Sequence, residues 1–227
     1  LLWDVDQAVE AVRWCVDNGL RAVMIPTLWY GNDPYHNVKY DPFWEVCEDL
    51  GVIVHFHSGP APHAEYFGAG FPVEDKRDEL PGAMGIYVSE VMWWLYRPLT
   101  FMIWGGVFER FPRLKVMIVE GGTMFMLPPW LRLMDFHYSE GQISAKLGNF
   151  REHLSLSPGE YYQRNVGIGA SCVLRPDIDM RDDIGLDKIM WGSDYPHPEG
   201  SWPNTGQYLR DTFANLPEAD GRKILGE

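Results

Sequence analysis

Cysteine, basic charge and long apolar runs are all scarce in this chain, and each scarcity removes a class of protein. Its three cysteines, Cys15, Cys47 and Cys172, are widely spaced, odd in number and include no CxxC pair. That is a poor basis for a disulfide framework and suits a reducing compartment, so a cytoplasmic location is expected. Lys and Arg number 19 against 32 Asp and Glu, a formal charge of −13 over 227 residues. An acidic surface attracts neither nucleic acid nor anionic lipid, so no nucleic-acid or membrane partner is expected. No apolar run approaches the ~20 residues that cross a bilayer. The opening Leu1-Leu2-Trp3-Asp4 lacks the basic n-region of a signal peptide. A Gly-rich phosphate loop, an internal repeat and a low-complexity linker are also missing, and one domain over 1–227 is expected. The chain does not open on Met, and residues 223–227 break off inside a helical pattern, so both ends read as cuts.

What is present points to a large packed interior. Apolar residues make up 46% and aromatics 14%, including ten Trp, and buried aromatics dominate core energetics. Short apolar strands alternate with helical patterns. Strands are expected at 20–25, 52–57, 115–119, 165–169 and 188–191. Helices are expected at 6–18, 41–50, 87–94, 98–110, 126–137, 207–214 and 217–225, with Asp41 as a cap, Pro42 opening its helix and Gly51 stopping it. A Gly/Pro-rich stretch, 58–85, interrupts the alternation. Apolar strands between helices imply an α/β fold with a parallel sheet. Chemically capable residues fall just after strand ends, where a TIM barrel carries its active site; a doubly wound open sheet is the rival arrangement.

Three segments carry that chemistry. In Val54-His55-Phe56-His57 the two imidazoles share one face of a strand, because side chains alternate. A neutral imidazole is a good zinc ligand, while a hydrogen-bonded core histidine is the plainer alternative. In Trp191-Gly192-Ser193-Asp194-Tyr195-Pro196-His197-Pro198, a carboxylate follows an apolar strand, and Gly192 permits close backbone approach. Asp194 could bind metal or move a proton, or simply cap a turn, and His197 could be an exposed loop residue. Glu120, after KVMIV and before Gly121-Gly122, could be a ligand, a base, a hydroxyl acceptor, or a charge favouring a helix N-terminus. Arg132 and Asp135 are expected to pair along one helix. His36, His137 and His153 read as structural or solvated, and His63 as a residue whose loop could fold over the site.

In their order and spacing these segments resemble the amidohydrolase-related family, in particular its aminocarboxymuconate-semialdehyde decarboxylase-like branch. The stretches that carry the resemblance are 54–59 (VHFHSG), 105–115 (GGVFERFPRLK), 120–122 (EGG), 132–135 (RLMD) and 189–198 (IMWGSDYPHP). The resemblance implies a (β/α)8 barrel with a divalent metal at its mouth, most often Zn2+, with Mn2+ as the alternative. It places His57 as the fifth-strand ligand and Asp194 as the ligand and proton shuttle after the eighth strand. It leaves Glu120 as a second catalytic candidate and His55, His197 and His63 as substrate-binding candidates. The family's HxH or ExH pair on its first strand has no counterpart here. The register therefore implies an incomplete barrel, strands four to eight, with its N-terminal staves absent. Where the decarboxylase carries a histidine after its sixth strand, this chain has Glu120, which weakens the case for that substrate in particular.

The expected function is that of a metal-dependent carboxy-lyase or hydrolase acting on a small unsaturated, aromatic or cyclic carboxylic substrate. Hydrolysis of a lactone or amide, and a non-catalytic binding barrel, are the alternatives. The expected partner is a small molecule, and a homodimer is an admissible assembly.

Overall fold

A computed structural model of the chain describes residues 2–27, 33–57, 82–121, 124–140, 148–198 and 200–227. Five strands form one sheet: β1 (Ala22–Pro26), β2 (Ile53–His57), β3 (Val116–Val119), β4 (Val166–Ala170) and β5 (Ile189–Trp191). They are hydrogen-bonded in chain order and every pair is parallel, as the alternation of strands and helices implies. Consecutive parallel staves joined by helices are the repeating unit of a (β/α)8 barrel.

Local chemistry sets the element ends. Helix α1 (Val5–Asp17) is capped by Asp4, whose carboxylate accepts the Gln7 amide at 3.1 Å, and it buries Ala8 and Val12. Helix α2 (Asp41–Leu50) ends at Gly51, which takes φ 65 without the Cβ penalty another residue would meet. The expected Asp41 cap is not made. The Asp41 carboxylate instead receives two guanidinium bonds from Arg110, each 2.9 Å, a bidentate geometry that a lone cap cannot match. Helix α3 (Ala83–Trp104) is continuous and carries Pro98 in its interior, where two separate helices were expected. A short α4 (Val107–Arg110) follows Gly106.

After β3 come α5 (Leu127–Glu140) and α6 (Pro158–Asn165), and after β4 come α7 (Arg175–Asp179) and α8 (Arg181–Ile184). Helices α9 (Thr205–Thr212) and α10 (Glu218–Ile224) follow β5. The expected Arg132–Asp135 pair is absent. Arg132 reaches Asp183 at 3.8 Å, and Asp135 accepts the Gly159 amide at 2.8 Å, because α8 and α6 pack against this helix.

The sheet has two unlike faces. Val54, Phe56, Val116, Ile118, Val166, Ile168, Ala170 and Ile189 are buried in the main core with Leu95, Leu99 and Phe108. The register puts Met24, His55, Met117 and Gly167 in one row of the opposite face, and Pro26, His57, Val119, Gly169 and Met190 in the next. There Met24 is 58% exposed and Met190 40%. Among the described residues the cysteines form no disulfide with one another, and burial pushes the Cys47 thiol up to about 12, so it is inert. Among the described residues no helix is long and apolar enough to cross a membrane.

Candidate active site at the strand ends

His57 is the last residue of β2 and Glu120 the first after β3. Because these strands are neighbours, the two side chains meet: His57 Nε2 lies 2.8 Å from Glu120 Oε2. The carboxylate is four-fifths shielded and the imidazole is partly exposed. Glu120 reaches this position through a left-handed backbone, φ 53, which an L residue adopts only under constraint. The next amide, Gly121 N–H, donates to Gly169 O at 3.0 Å and ties the turn to β4.

His55 lies two residues earlier on the same face, beside Met24 and Met117. Burial lowers its pKa below the ordinary histidine value, so the neutral ring is favoured. Gly167 forms part of the floor. A Cβ there would come within 2.9 Å of Met117 Cε and 3.4 Å of Met190 Cε, so both methionine side chains lie across it.

Asp194 follows β5 in a turn closed by backbone bonds. His197 N–H donates to Asp194 O at 2.7 Å, Gly200 N–H to His197 O at 3.0 Å, and Ser201 N–H to Ser193 O at 3.0 Å. Asp194 also adopts a left-handed backbone, φ 59. Its Oδ2 lies 3.9 Å from His197 Nδ1, with the carboxylate mostly shielded and the imidazole half exposed. Gly192 is pressed on the neighbouring strand, as its spacing suggests: a Cβ would stand 2.9 Å from the Ala170 carbonyl oxygen. Tyr195 and Trp202 are largely exposed on this loop, their rings edge-on at 5.6 Å.

The candidates thus form two pairs at one end of the sheet, His57–Glu120 and Asp194–His197, with His55 below the first. His63 lies outside the described residues. His153 is structural, its Nε2 2.8 Å from Trp104 O, and His36 packs on the Phe101 ring. Imidazole nitrogen and carboxylate oxygen are suitable donors for a divalent cation. Among the described residues, however, no three His, Cys, Asp or Glu side chains form a group able to hold one. The contact between His57 and Glu120 was not expected from sequence, although neighbouring strands that each end on a polar residue are a usable signal for it. Asp177 was also missed, and Leu174-Arg175-Pro176-Asp177 is a helix-start pattern in which a carboxylate reaches back to a main-chain amide.

A family model described as amidohydrolase matches residues 1–227. The chain belongs to the amidohydrolase family. Its five parallel strands are consecutive staves of that family's barrel, and the pairs just described sit at the end of the staves where such barrels carry their chemistry. Solved structures with this fold include an amidohydrolase from Mycobacterium avium subsp. paratuberculosis, 24% identical with a TM-score of 0.72, covering 98% of this chain and 53% of its own. The 5-carboxyvanillate decarboxylase of Sphingomonas paucimobilis is 22% identical with a TM-score of 0.72, covering 98% and 61%. A dihydroxybenzoic acid decarboxylase from Polaromonas, solved with manganese and the inhibitor 2-nitroresorcinol, is 18% identical with a TM-score of 0.65, covering 98% and 64%. The chain therefore spans between half and two thirds of the length of these proteins.

Proposed function

We propose that this chain, as one domain, forms most of the active site of a metal-dependent carboxy-lyase that removes CO2 from a small aromatic or unsaturated carboxylic acid without oxidation. The observation that carries this reading is the placement of His57, Glu120 and Asp194 at the C-terminal ends of parallel strands in an amidohydrolase-family fold. The decarboxylases among the solved structures of like fold support the reaction class.

His57 and Asp194 are the residues that would hold the cation, with Zn2+ as the first candidate and Mn2+, found in the Polaromonas enzyme, as the second. A bound divalent ion supplies Lewis acidity, polarising a substrate oxygen and acidifying water. Asp194 moves the proton: it delivers H+ to the ring carbon that loses its carboxylate, so that R–COO− and H+ become R–H and CO2. Glu120 orients the His57 imidazole through the 2.8 Å contact. His55, held neutral, and the half-exposed His197 contact substrate. A carboxylate against His57, where the resemblance to the aminocarboxymuconate-semialdehyde decarboxylase implies a histidine, keeps hydrolysis of a lactone or amide as the second reading. Three widely spaced cysteines fit a reducing cytoplasm, and the homodimer remains the proposed assembly.

The test is Asp194→Asn in the full-length protein, assayed against a panel of aromatic carboxylates and lactones. General acid–base catalysis is worth about 10²–10⁴-fold, so turnover should fall by at least that order. Bound metal per chain should fall less, because the asparagine keeps one ligand oxygen. CO2 release marks the first reading and ring-opened product the second. Near wild-type turnover in Asp194→Asn removes Asp194 from the mechanism.

A further inference from the structure

The least exposed acid described in the chain, Asp177, lies outside the pairs above. It is 0% exposed on α7, and among the described residues no Lys, Arg or His forms an ion pair with it. A charge so placed is tolerated only when hydrogen bonds replace its water, and its partners are all main-chain amides. Oδ1 accepts Phe125 N–H at 2.9 Å, and Oδ2 accepts Leu174 N–H at 2.8 Å. Its pKa is raised, by burial first, against the lowering effect of the main-chain amides that face it.

The two segments it joins are telling. Met124–Met126 is the 3-10 turn that begins four residues after Glu120. Leu174 stands four residues after the end of β4. One carboxylate therefore fastens the segment after β3 to the segment after β4, both at the end of the sheet that carries the candidate site. Tyr208 braces the second segment by donating to Val173 O at 2.8 Å. Between the end of β3 and the fastened turn lies Glu120 in its left-handed conformation, which surrounding structure must impose.

We propose that Asp177 is a positioning residue: by anchoring the amide of Phe125 to that of Leu174, it holds the backbone that presents Glu120 to His57. The anchoring stands by itself, and only its consequence for turnover rests on the function proposed above.

The first readout is the pair of imidazole 15N resonances of His57 in the full-length protein at one fixed pH. Glu120→Gln defines the shift produced when the charged partner is lost. Asp177→Asn should move the His57 resonances at least halfway toward that reference and lower turnover at nearly unchanged KM. A merely structural Asp177 would lower the melting temperature and leave His57 at its wild-type shifts, which overturns the proposal. If Asp177→Asn does not fold, amide exchange in the unaltered protein decides. The amides of Gly121, Phe125 and Leu174 should exchange within about threefold of one another, as one opening unit. Gly121 exchanging about tenfold faster than the other two would mean that the anchor does not reach Glu120, and overturns it. A moved His57 signal in Asp177→Asn, combined with undiminished turnover in Glu120→Gln, leaves the anchor standing and sinks the role given to Glu120.

Discussion

Glu120 and Asp194 share a backbone property as well as a charge. With Asn215 they are the non-glycine residues at positive φ among those described. Asparagine and aspartate visit that region more readily than most L residues, for which, as for Glu120, it costs about 1–2 kcal/mol. Glu120 therefore sits on backbone that surrounding bonds must hold, and the Asp194 turn is closed by its own backbone bonds. For Asp194 the hold begins at Gly192, and this can be tested one methyl group at a time. Gly192→Ala drives a Cβ to 2.9 Å from the Ala170 carbonyl, a main-chain atom with little freedom to move. The expected loss is about 1–3 kcal/mol, as for other overpacked sites, or roughly 2–4 °C of melting temperature per kcal/mol in a chain of this size. Gly206→Ala is the control. Its Cβ meets only the Arg210 guanidinium at 3.6 Å, on helix α9. There alanine should stabilise by about 0.5–1 kcal/mol. A Gly192→Ala protein that melts at or above the wild-type temperature would show that the approach to Ala170 is not needed.

Among the elements, short Glu109-bearing α4 is a junction. Glu109 Oε2 accepts from Tyr161 Oη, from Ser155 Oγ at 2.9 Å and from Ser155 N–H at 3.3 Å, tying α4 to α6. The Tyr161 bond first, with help from Ser155, lowers its pKa below the usual carboxylate value. A folded-state pKa below the unfolded one contributes stability that is present above the unfolded value, about 4.3, and lost as pH falls through the folded value. In urea titrations, wild type should exceed Glu109→Gln most at neutral pH, and the gap should close as pH drops below about 4. A gap that stays constant with pH would mean that the carboxylate charge contributes nothing there. The elements also divide by how readable they were. Strands such as Ile53–His57 and Ile189–Trp191 were placed to within a residue or two, because apolar runs bounded by Gly and Pro have few alternatives. Helix α3 was split in two because Pro98 argues for a break, yet packing of Leu95, Leu99, Met102 and Ile103 in the core carries the helix through it. Helix α6 went unseen because PGEYYQRN has little apolar periodicity. Its start was nevertheless written in Ser157-Pro158-Gly159-Glu160, a capping box with both bonds present.

At the scale of the whole molecule, the arrangement of strands was the most legible feature and the composition of the site the least. The parallel order follows from alternation alone, and the positions of His57, Glu120 and Asp194 at strand ends follow from it. Contacts such as His57–Glu120 and Asp177–Phe125 depend on which side chains meet across elements more than 50 residues apart, a distance over which no local pattern reports. The same sheet order has a physical consequence for the 227-residue chain when it is alone. Among the described residues β1 pairs only with β2 and β5 only with β4, so each presents an outer edge. Met24 and Met190 are exposed on the face that also carries His55 and His57. Beside β1 an apolar groove of about 350 Å³ runs along α1, lined by Val12, Cys15, Val23, Met24 and Phe43. Open strand edges beside apolar surface are templates for further pairing. The isolated chain should therefore associate as its concentration rises, read as a growing weight-average mass in sedimentation or light scattering. Met24→Lys, which sets a charge on the β1 edge, should reduce that association at equal concentration. A monodisperse monomer that melts cooperatively over the same concentration range would mean that these edges and the groove are covered within the chain itself.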